Sequence, residues 1–269
     1  MGASVDILYL TYNRLAYTKL TLPALIENAG ADFALTIVDN GSTDGTVEYL
    51  TKFSRRHPKQ IKNVCFMDKN MGISPPTNAF WRASRADFLG KVDNDTLVPP
   101  NWLKRLLDAH EQSPTLGVIG GFHFNLNYVD VPALEKRVIS LDGVQLIPDA
   151  FIGGCCYLFR RSLQLAVGEI VVSPRKTMGW TEYQKEIFLR GHMNGYLYPL
   201  LMVEHFDDPL DPHNCSQGIH KAASQISFGD KGLSLDRQEI LKWYIRDAAR
   251  VVSGISMKEL FESLGKPDA

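Results

Sequence analysis

Two carboxylates separated by one residue follow an apolar run in the first half of the chain. Asp93 and Asp95 flank Asn94, directly after residues 88–92. On an extended or turning backbone, side chains two residues apart can converge, so the pair can bind one hard cation, or a ribose and a cation together. A solvated acidic turn is the ordinary alternative for such a pair.

The segments around this turn alternate between two patterns. Short apolar runs bounded by turn residues predict strands at residues 5–10, 34–38, 64–67 and 88–92. Helices are predicted between these strands. One is indicated by the helical spacing of Leu15, Leu22, Leu25 and Ile26, and two more, at 46–53 and 76–84, by the turn or capping residues that precede them. Such alternation predicts a parallel sheet with right-handed crossovers, in which ligands bind at the carboxyl ends of the strands.

The polar loops after Leu10, Val38 and Val92 are therefore expected at one edge of the sheet. Asp39 ends the second strand there, and its carboxylate can accept from a base N–H group or from ribose hydroxyls. The alternative for Asp39 is a turn-forming or helix-capping role, for which Asp44 competes.

The second half of the chain is less regular. Apolar spacing predicts helices at 102–110 and 182–190, strands at 117–124 and 151–159, and a helical tail at 235–264. Residues 129–149 form a mixed polar segment without a clear period.

Bulk composition excludes several classes of protein. The 269 residues are 45% apolar and carry a formal net charge of -1, which allows a full core and gives no electrostatic sign of a nucleic-acid partner. No apolar run approaches the ~20 residues of a membrane-spanning helix, and the start lacks the pattern of a signal peptide. We therefore expect a cytoplasmic protein. The cysteines lack metal-ligand spacing and are expected to be reduced, with Cys155 and Cys156 in or beside a strand.

Four stretches occur together in order: LTYNR, IVDNGSTDGT, NMGIS followed by Asn78, and KVDNDTLVPPNWL. In combination they resemble family 2 glycosyltransferases of the GT-A fold, over about residues 5–207 and most closely up to Leu103. The resemblance implies an α/β nucleotide-binding fold of the GT-A type, with a mostly parallel central sheet flanked by helices and a helical C-terminal tail. We expect residues 1–215 to form this domain, with 1–98 binding the nucleotide-sugar, 99–215 binding the acceptor, and 216–269 packed on it as an extension.

The resemblance also implies roles for individual residues around a nucleotide-sugar donor, with a UDP-sugar as the default. Asp95 corresponds to the direct ligand of Mn²⁺ or Mg²⁺ in the family's DxD motif, and His205, with Asp207 and Asp208 orienting it, to a further metal ligand. Such an ion would stabilise the negative charge of the leaving nucleoside diphosphate. The residues expected around the nucleotide are Thr11, Tyr12, Arg14, Asp39, Asn70, Gly72, Asp93 and Asn94.

Inverting transfer needs a carboxylate that takes the proton of the acceptor hydroxyl. The family's acidic pair is not intact here, and Glu182, next to the preceding loop, is the first candidate for this base. Glu186 lies one turn later and is the reserve candidate; an exposed helical charge is the alternative for both. Trp180 is expected to stack on an acceptor sugar.

The acceptor is left open as a saccharide, a lipid-linked saccharide or a protein. A lipid-linked acceptor would bring the protein to the inner face of the membrane, and Lys242, Trp243, Tyr244 and Arg246 would permit this contact, with packing as their alternative role.

Three other classes of protein compete. A haloacid-dehalogenase-like phosphohydrolase is disfavoured because Thr96 follows Asp95 without the extra residue of that motif. A sugar-nucleotide nucleotidyltransferase would need a glycine-rich basic loop after the first strand, where only Arg14 is basic. A nucleotide-sugar-binding or carbohydrate-binding protein that has lost turnover stays open.

Overall fold

The computed structural model describes residues 2–171, 179–213 and 237–254. Its strands are β1 Val5–Thr11, β2 Ala34–Asp39, β3 Ile61–Phe66, β4 Phe88–Asp93, β5 Thr96–Leu97, β6 Leu116–Gly120, β7 Ile139–Leu141, β8 Val144–Pro148, β9 Cys156–Arg160, β10 Met193–Leu197 and β11 Glu204–His205. Its α-helices are α1 Leu15–Glu27, α2 Thr46–Arg56, α3 Ser74–Ala83, α4 Trp102–Gln112, α5 Val131–Glu135, α6 Arg161–Val167, α7 Trp180–Leu189 and α8 Arg237–Ser253.

Nine of these strands form one sheet in the order β3-β2-β1-β4-β9-β6-β10-β8-β7. The first four strands of that order are parallel, and the register places Thr11 opposite Asp39 and Leu10 opposite Asp93. Antiparallel pairing enters with β9, which runs opposite to both β4 and β6. The predicted α/β fold with a large central sheet is confirmed, and the carboxyl ends of β1, β2 and β4 meet at one edge.

Helices cover both faces of the sheet. Alternate residues of β1 point to opposite faces, so Ile7 belongs to one apolar cluster and Leu8 to the other. The first cluster includes residues of α1 and α4. The second includes residues of α3, α7 and α8. Two apolar layers thus bury the central strands of the sheet and fix the strand ends that carry the acidic residues.

The segment 129–149, which showed no period in the sequence, contains α5 and the β7–β8 hairpin. The two strands are joined by Asp142 and Gly143, both with positive φ (52° and 84°), which is the conformation of a two-residue primed turn. The Asp-Gly pair is a local signal for this hairpin. The predicted strand at 151–159 is shorter than expected, because β9 begins at Cys156.

The tail helix α8 packs on the domain through one face. Tyr244, Ala248 and Val251 are buried, at the spacing of one helical stripe, whereas Lys242 and Arg246 are exposed. Tyr244 therefore has the packing role given as its alternative. The rest of the predicted tail, to Leu264, lies outside the described residues. Within the described part of the chain, no helix combines the length and the apolar character that crossing a membrane requires.

Candidate active site

Asn94, between the two aspartates, anchors the turn after β4 to the loop after β1. Its side-chain amide donates to Thr11 Oγ1 at 3.0 Å and to the backbone oxygen of Asn13 at 3.0 Å. Thr11 and Asn94 are both buried. These two residues, expected at the nucleotide, hold the two loops of the sheet edge together.

Arg14 lies between two carboxylates from distant parts of the chain. Its Nη1 is 2.6 Å from Asp95 Oδ2, and its Nη2 is 3.0 Å from Asp207 Oδ2. The Arg14 side chain is only 7% exposed. Burial acts to raise the pKa of Asp95, but the charges of His205, Arg14 and Lys91 outweigh it and lower that pKa below its ordinary value. Asp95 is therefore held as a carboxylate.

His205 reaches Asp95 because β11 pairs with β5, where His205 lies opposite Thr96. His205 Nε2 is 3.7 Å from Asp95 Oδ1. The other ring nitrogen, Nδ1, is 2.9 Å from the hydroxyl of Tyr244 on α8. The two predicted metal ligands are thus brought side by side.

The prediction that Asp207 and Asp208 orient the ring of His205 stays a prediction; Asp208 contacts His205 through the backbone, where its N–H donates to the His205 oxygen at 2.8 Å. Asp207 pairs with Arg14. Asp208 accepts from the Tyr128 hydroxyl at 2.8 Å and from the Leu210 backbone N–H at 2.9 Å. The hydroxyl beside His205 Nδ1 belongs to Tyr244, and sequence patterns could not assign this contact because Tyr244 lies 39 residues after His205.

Asp93 forms an ion pair with Lys91, two residues earlier on β4. Burial raises the pKa of Asp93, although Lys91 opposes the shift, and the nearby charge of Asp95 raises it further. Lys91 is buried and also donates to the backbone oxygen of Gly154 at 2.8 Å. The sequence contained a signal for this residue, since a lysine inside the apolar strand FLGKVD needs a partner.

Asp39 is fully buried and closes its own turn. Its carboxylate accepts from the Ser42 backbone N–H at 2.9 Å and from the Ser42 hydroxyl at 2.5 Å. The turn-forming role given as the alternative is therefore present. Gly41 is required here, because it has φ +85° and an added Cβ would lie 2.8 Å from the Lys69 backbone.

Asn40, which the sequence patterns did not single out, holds the loop at 70–72 beside β2. Its side-chain amide donates to Asn70 Oδ1 and to the Gly72 backbone oxygen, both at 2.9 Å, and its oxygen accepts from the Met71 N–H at 2.9 Å. Asn70 and Gly72 are exposed and Tyr12 is half-buried. Of the predicted nucleotide contacts, these three and the half-buried Asp93 leave surface open at the edge.

The loop before β9 links α7 to the acidic turn. Gln184 binds both backbone groups of Ile152, accepting from its N–H at 2.8 Å and donating to its oxygen at 3.1 Å. Trp180 Nε1 donates to the same oxygen at 3.0 Å. Two residues later, Gly154 accepts from Lys91, the partner of Asp93. The start of α7 is thus fixed near the acidic turn.

The residues expected to contact the acceptor differ in their surroundings. The ring of Trp180 stacks on Tyr157 with centroids 4.5 Å apart, so part of its surface is already packed. Glu186 forms an ion pair with Arg190 at 2.7 Å. Glu182 lies in the first turn of α7, is exposed, and makes no hydrogen bond or ion pair with another described residue.

Asp95 presents a carboxylate oxygen, which suits a hard divalent cation, and His205 presents an imidazole nitrogen, which Mn²⁺ also accepts. An ion bound at about 2.1 Å from each ligand can reach both Asp95 Oδ1 and His205 Nε2, because twice that length exceeds their separation. Mg²⁺ sites commonly use one or two protein ligands and complete their shell with substrate phosphates and water. A second arrangement of donors, in which Glu204, Asp211 and His213 lie within 4.8 Å of one another, is present nearby.

The sequence model of glycosyl transferase family 2 matches residues 6–165. The chain belongs to glycosyl transferase family 2. It is 29% identical over 146 residues to validoxylamine A glucosyltransferase of Streptomyces hygroscopicus subsp. jinggangensis (strain 5008), covering 52% of this chain and 34% of that enzyme. The chain spans between 16% and 35% of the length of the first curated relatives it matches.

Solved structures resemble this family 2 chain over nearly its whole length. PcManGT, a mannosyltransferase from Pyrobaculum calidifontis in complex with GDP-Man and Mn²⁺, has a TM-score of 0.59 at 16% identity, covering 98% of this chain and 79% of that one. S. aureus TarS 1–349 in complex with UDP-GlcNAc has a TM-score of 0.56 at 16% identity, covering 93% and 81%. These likenesses confirm the predicted GT-A type of fold.

Proposed function

We propose that this protein is a divalent-metal-dependent glycosyltransferase that moves a sugar from a nucleoside diphosphate sugar to an acceptor hydroxyl, with inversion. The observation that carries the proposal is the pair Asp95 Oδ1 and His205 Nε2, 3.7 Å apart at the sheet edge where β1, β2 and β4 end. Ligands of open α/β sheets bind at this edge. Family membership supports the same chemistry.

Asp95 and His205 are the residues that would hold Mn²⁺ or Mg²⁺. When bound, the ion would supply positive charge where the leaving diphosphate becomes negative; a unit charge pair at ~4 Å gives about 4 kcal/mol at an effective dielectric near 20. Arg14 pairs with Oδ2 of Asp95, so that Oδ1 of Asp95 stays directed at His205. Asp93, held by Lys91, would contact the ribose.

The nucleotide would lie along the strand ends between Tyr12 and the exposed loop at 70–72. Asp39, Thr11 and Asn94 would act there mainly by fixing the shape of the two loops, because their polar atoms bind protein groups. One structural neighbour is described with UDP-GlcNAc and another with GDP-Man. We propose a UDP-sugar as the donor, as the resemblance implies.

Glu182 would take the proton of the acceptor hydroxyl as the new glycosidic bond forms. It is exposed, whereas Glu186 is already paired with Arg190. Hydrogen bonds at Ile152 and Gly154 connect α7 to Lys91, and this connection supports placing the base in the first turn of α7. Trp180 would border the acceptor, which we propose to be a saccharide, a lipid-linked saccharide or a protein.

The test is release of nucleoside diphosphate from a panel of UDP- and GDP-sugars, with water or an added saccharide accepting the sugar, in the presence of Mn²⁺, of Mg²⁺ and of EDTA. We expect release in the presence of a divalent ion and none in EDTA. Asp95→Asn should abolish release, whereas Asp108→Asn, which alters an exposed carboxylate paired with Lys104 on α4, should not. Nucleotide binding without release under every condition would indicate a binding protein and overturn the proposal.

A further inference from the structure

The hydrogen bond between His205 and Tyr244 connects the proposed metal ligand to the C-terminal helix. Tyr244 is buried, and its hydroxyl lies 2.9 Å from His205 Nδ1. The helix that carries it is fixed independently: Ala248 and Val251 are fully buried, and Arg250 pairs with Asp149 at 2.9 Å. The tyrosine hydroxyl therefore has a set position relative to the ring of His205.

This contact determines which nitrogen of His205 faces Asp95. With Nδ1 directed at Tyr244, Nε2 is directed at Asp95 Oδ1. An imidazole binds a metal through an unprotonated nitrogen, so coordination by Nε2 requires the proton to reside on Nδ1. A hydroxyl can both donate and accept, so it can accept from Nδ1–H in that tautomer and donate to Nδ1 in the other. A phenylalanine ring would fill the same space without either bond.

We propose that Tyr244 is a positioning residue that holds His205 with Nε2 presented to the cation, so that α8 is required for metal affinity as well as for packing. The inference rests on the proposed function, because it assigns His205 as a metal ligand. Partners that bind the second nitrogen of a metal-ligating histidine typically account for 10- to 100-fold in metal affinity.

The experiment measures Mn²⁺ binding by the electron paramagnetic resonance signal of the free ion, with and without UDP, in the full chain. Tyr244→Phe should weaken Mn²⁺ binding by about 10-fold or more while the melting temperature changes little. Tyr183→Phe is the matched control, because it removes another buried tyrosine hydroxyl that donates to a backbone oxygen, that of Gly168 at 3.3 Å. We expect no change in Mn²⁺ affinity in this control.

A double-mutant cycle separates positioning from general destabilisation. In a His205→Ala background, Tyr244→Phe should have no further effect on Mn²⁺ affinity, because the group it positions is gone. Equal effects of Tyr244→Phe with and without His205, or an unchanged affinity in Tyr244→Phe, would overturn the inference while leaving the proposed function standing. Failure of the unaltered protein to bind Mn²⁺ in either condition would overturn both.

Discussion

Replacing Arg14 by methionine tests the charge arrangement at the heart of the site. The guanidinium is 2.6 Å from Asp95 and 3.0 Å from Asp207, and the three side chains are 7%, 12% and 9% exposed. Removing one partner of a buried ion pair typically costs about 3–5 kcal/mol, because the remaining charge loses its compensation. At about 2–4 °C per kcal/mol for a protein of this size, we expect the melting temperature to fall by roughly 10 °C.

The assay is equilibrium unfolding in urea together with thermal melting, each with and without Mn²⁺. Arg82→Met is the control, since Arg82 pairs with Glu169 at 2.6 Å with both side chains largely exposed, and such surface pairs contribute about 0–1 kcal/mol. Mn²⁺ should raise the melting temperature of Arg14→Met less than that of the unaltered protein, because Asp95 Oδ1 is no longer held beside His205 Nε2.

Two results would refute this reasoning. Unfolding free energies that agree within about 1 kcal/mol between Arg14→Met and Arg82→Met would show that the guanidinium does not compensate the buried carboxylates. Unchanged stability together with a loss of UDP affinity would instead support the nucleotide-binding role that the family resemblance implies for Arg14.

Three further predictions concern the base, acid stability and the turn after β2. Glu182→Gln should lower kcat by about 100-fold or more with little change in donor affinity, while Glu186→Gln stays within a few-fold; a larger effect of Glu186→Gln in transfer assays would move the base there. Burial lowers the pKa of His110 from 6.5 to about 4. The stability that depends on neutral His110 is therefore fully present above pH 6.5 and is lost as the pH falls from 6.5 through 4. Between pH 7 and pH 4, the free energy of unfolding in urea should fall by about 3 kcal/mol more for the unaltered protein than for His110→Gln. Parallel curves of unfolding free energy against pH for the two proteins would contradict this. Gly41→Ala should destabilise the protein more than Gly45→Ala in the same assay, since both residues have positive φ but only the Gly41 Cβ would meet backbone atoms at 2.8 Å. Equal losses of stability would show that the backbone at Lys69 moves to make room for the methyl group.

The sheet edge could be predicted from the sequence because its signals are local. The runs that became β1, β2 and β4 each end in polar turn residues, and parallel pairing brings such ends together. The positions of Asp93, Asn94 and Asp95 follow from that topology. Asp142 and Gly143 carried an equally local signal for the β7–β8 hairpin.

The partners of the charged side chains could not be predicted in the same way. Arg14 pairs with Asp95, which is 81 residues away, and with Asp207 on another loop. The carboxylate that a buried guanidinium binds depends on which chain segments pack around it, and no periodicity encodes this. Tyr244 is a similar case: its helical spacing indicated a packed face, but the contact with His205 arises from where α8 packs.

Manganese location in a crystal soaked with MnCl₂ and a UDP-sugar tests the central claim most directly. Anomalous scattering at the manganese edge should show one ion in contact with Asp95 Oδ1 and His205 Nε2, adjoining the diphosphate of the nucleotide. An ion found instead among Glu204, Asp211 and His213, with nothing bound between Asp95 and His205, would contradict the account.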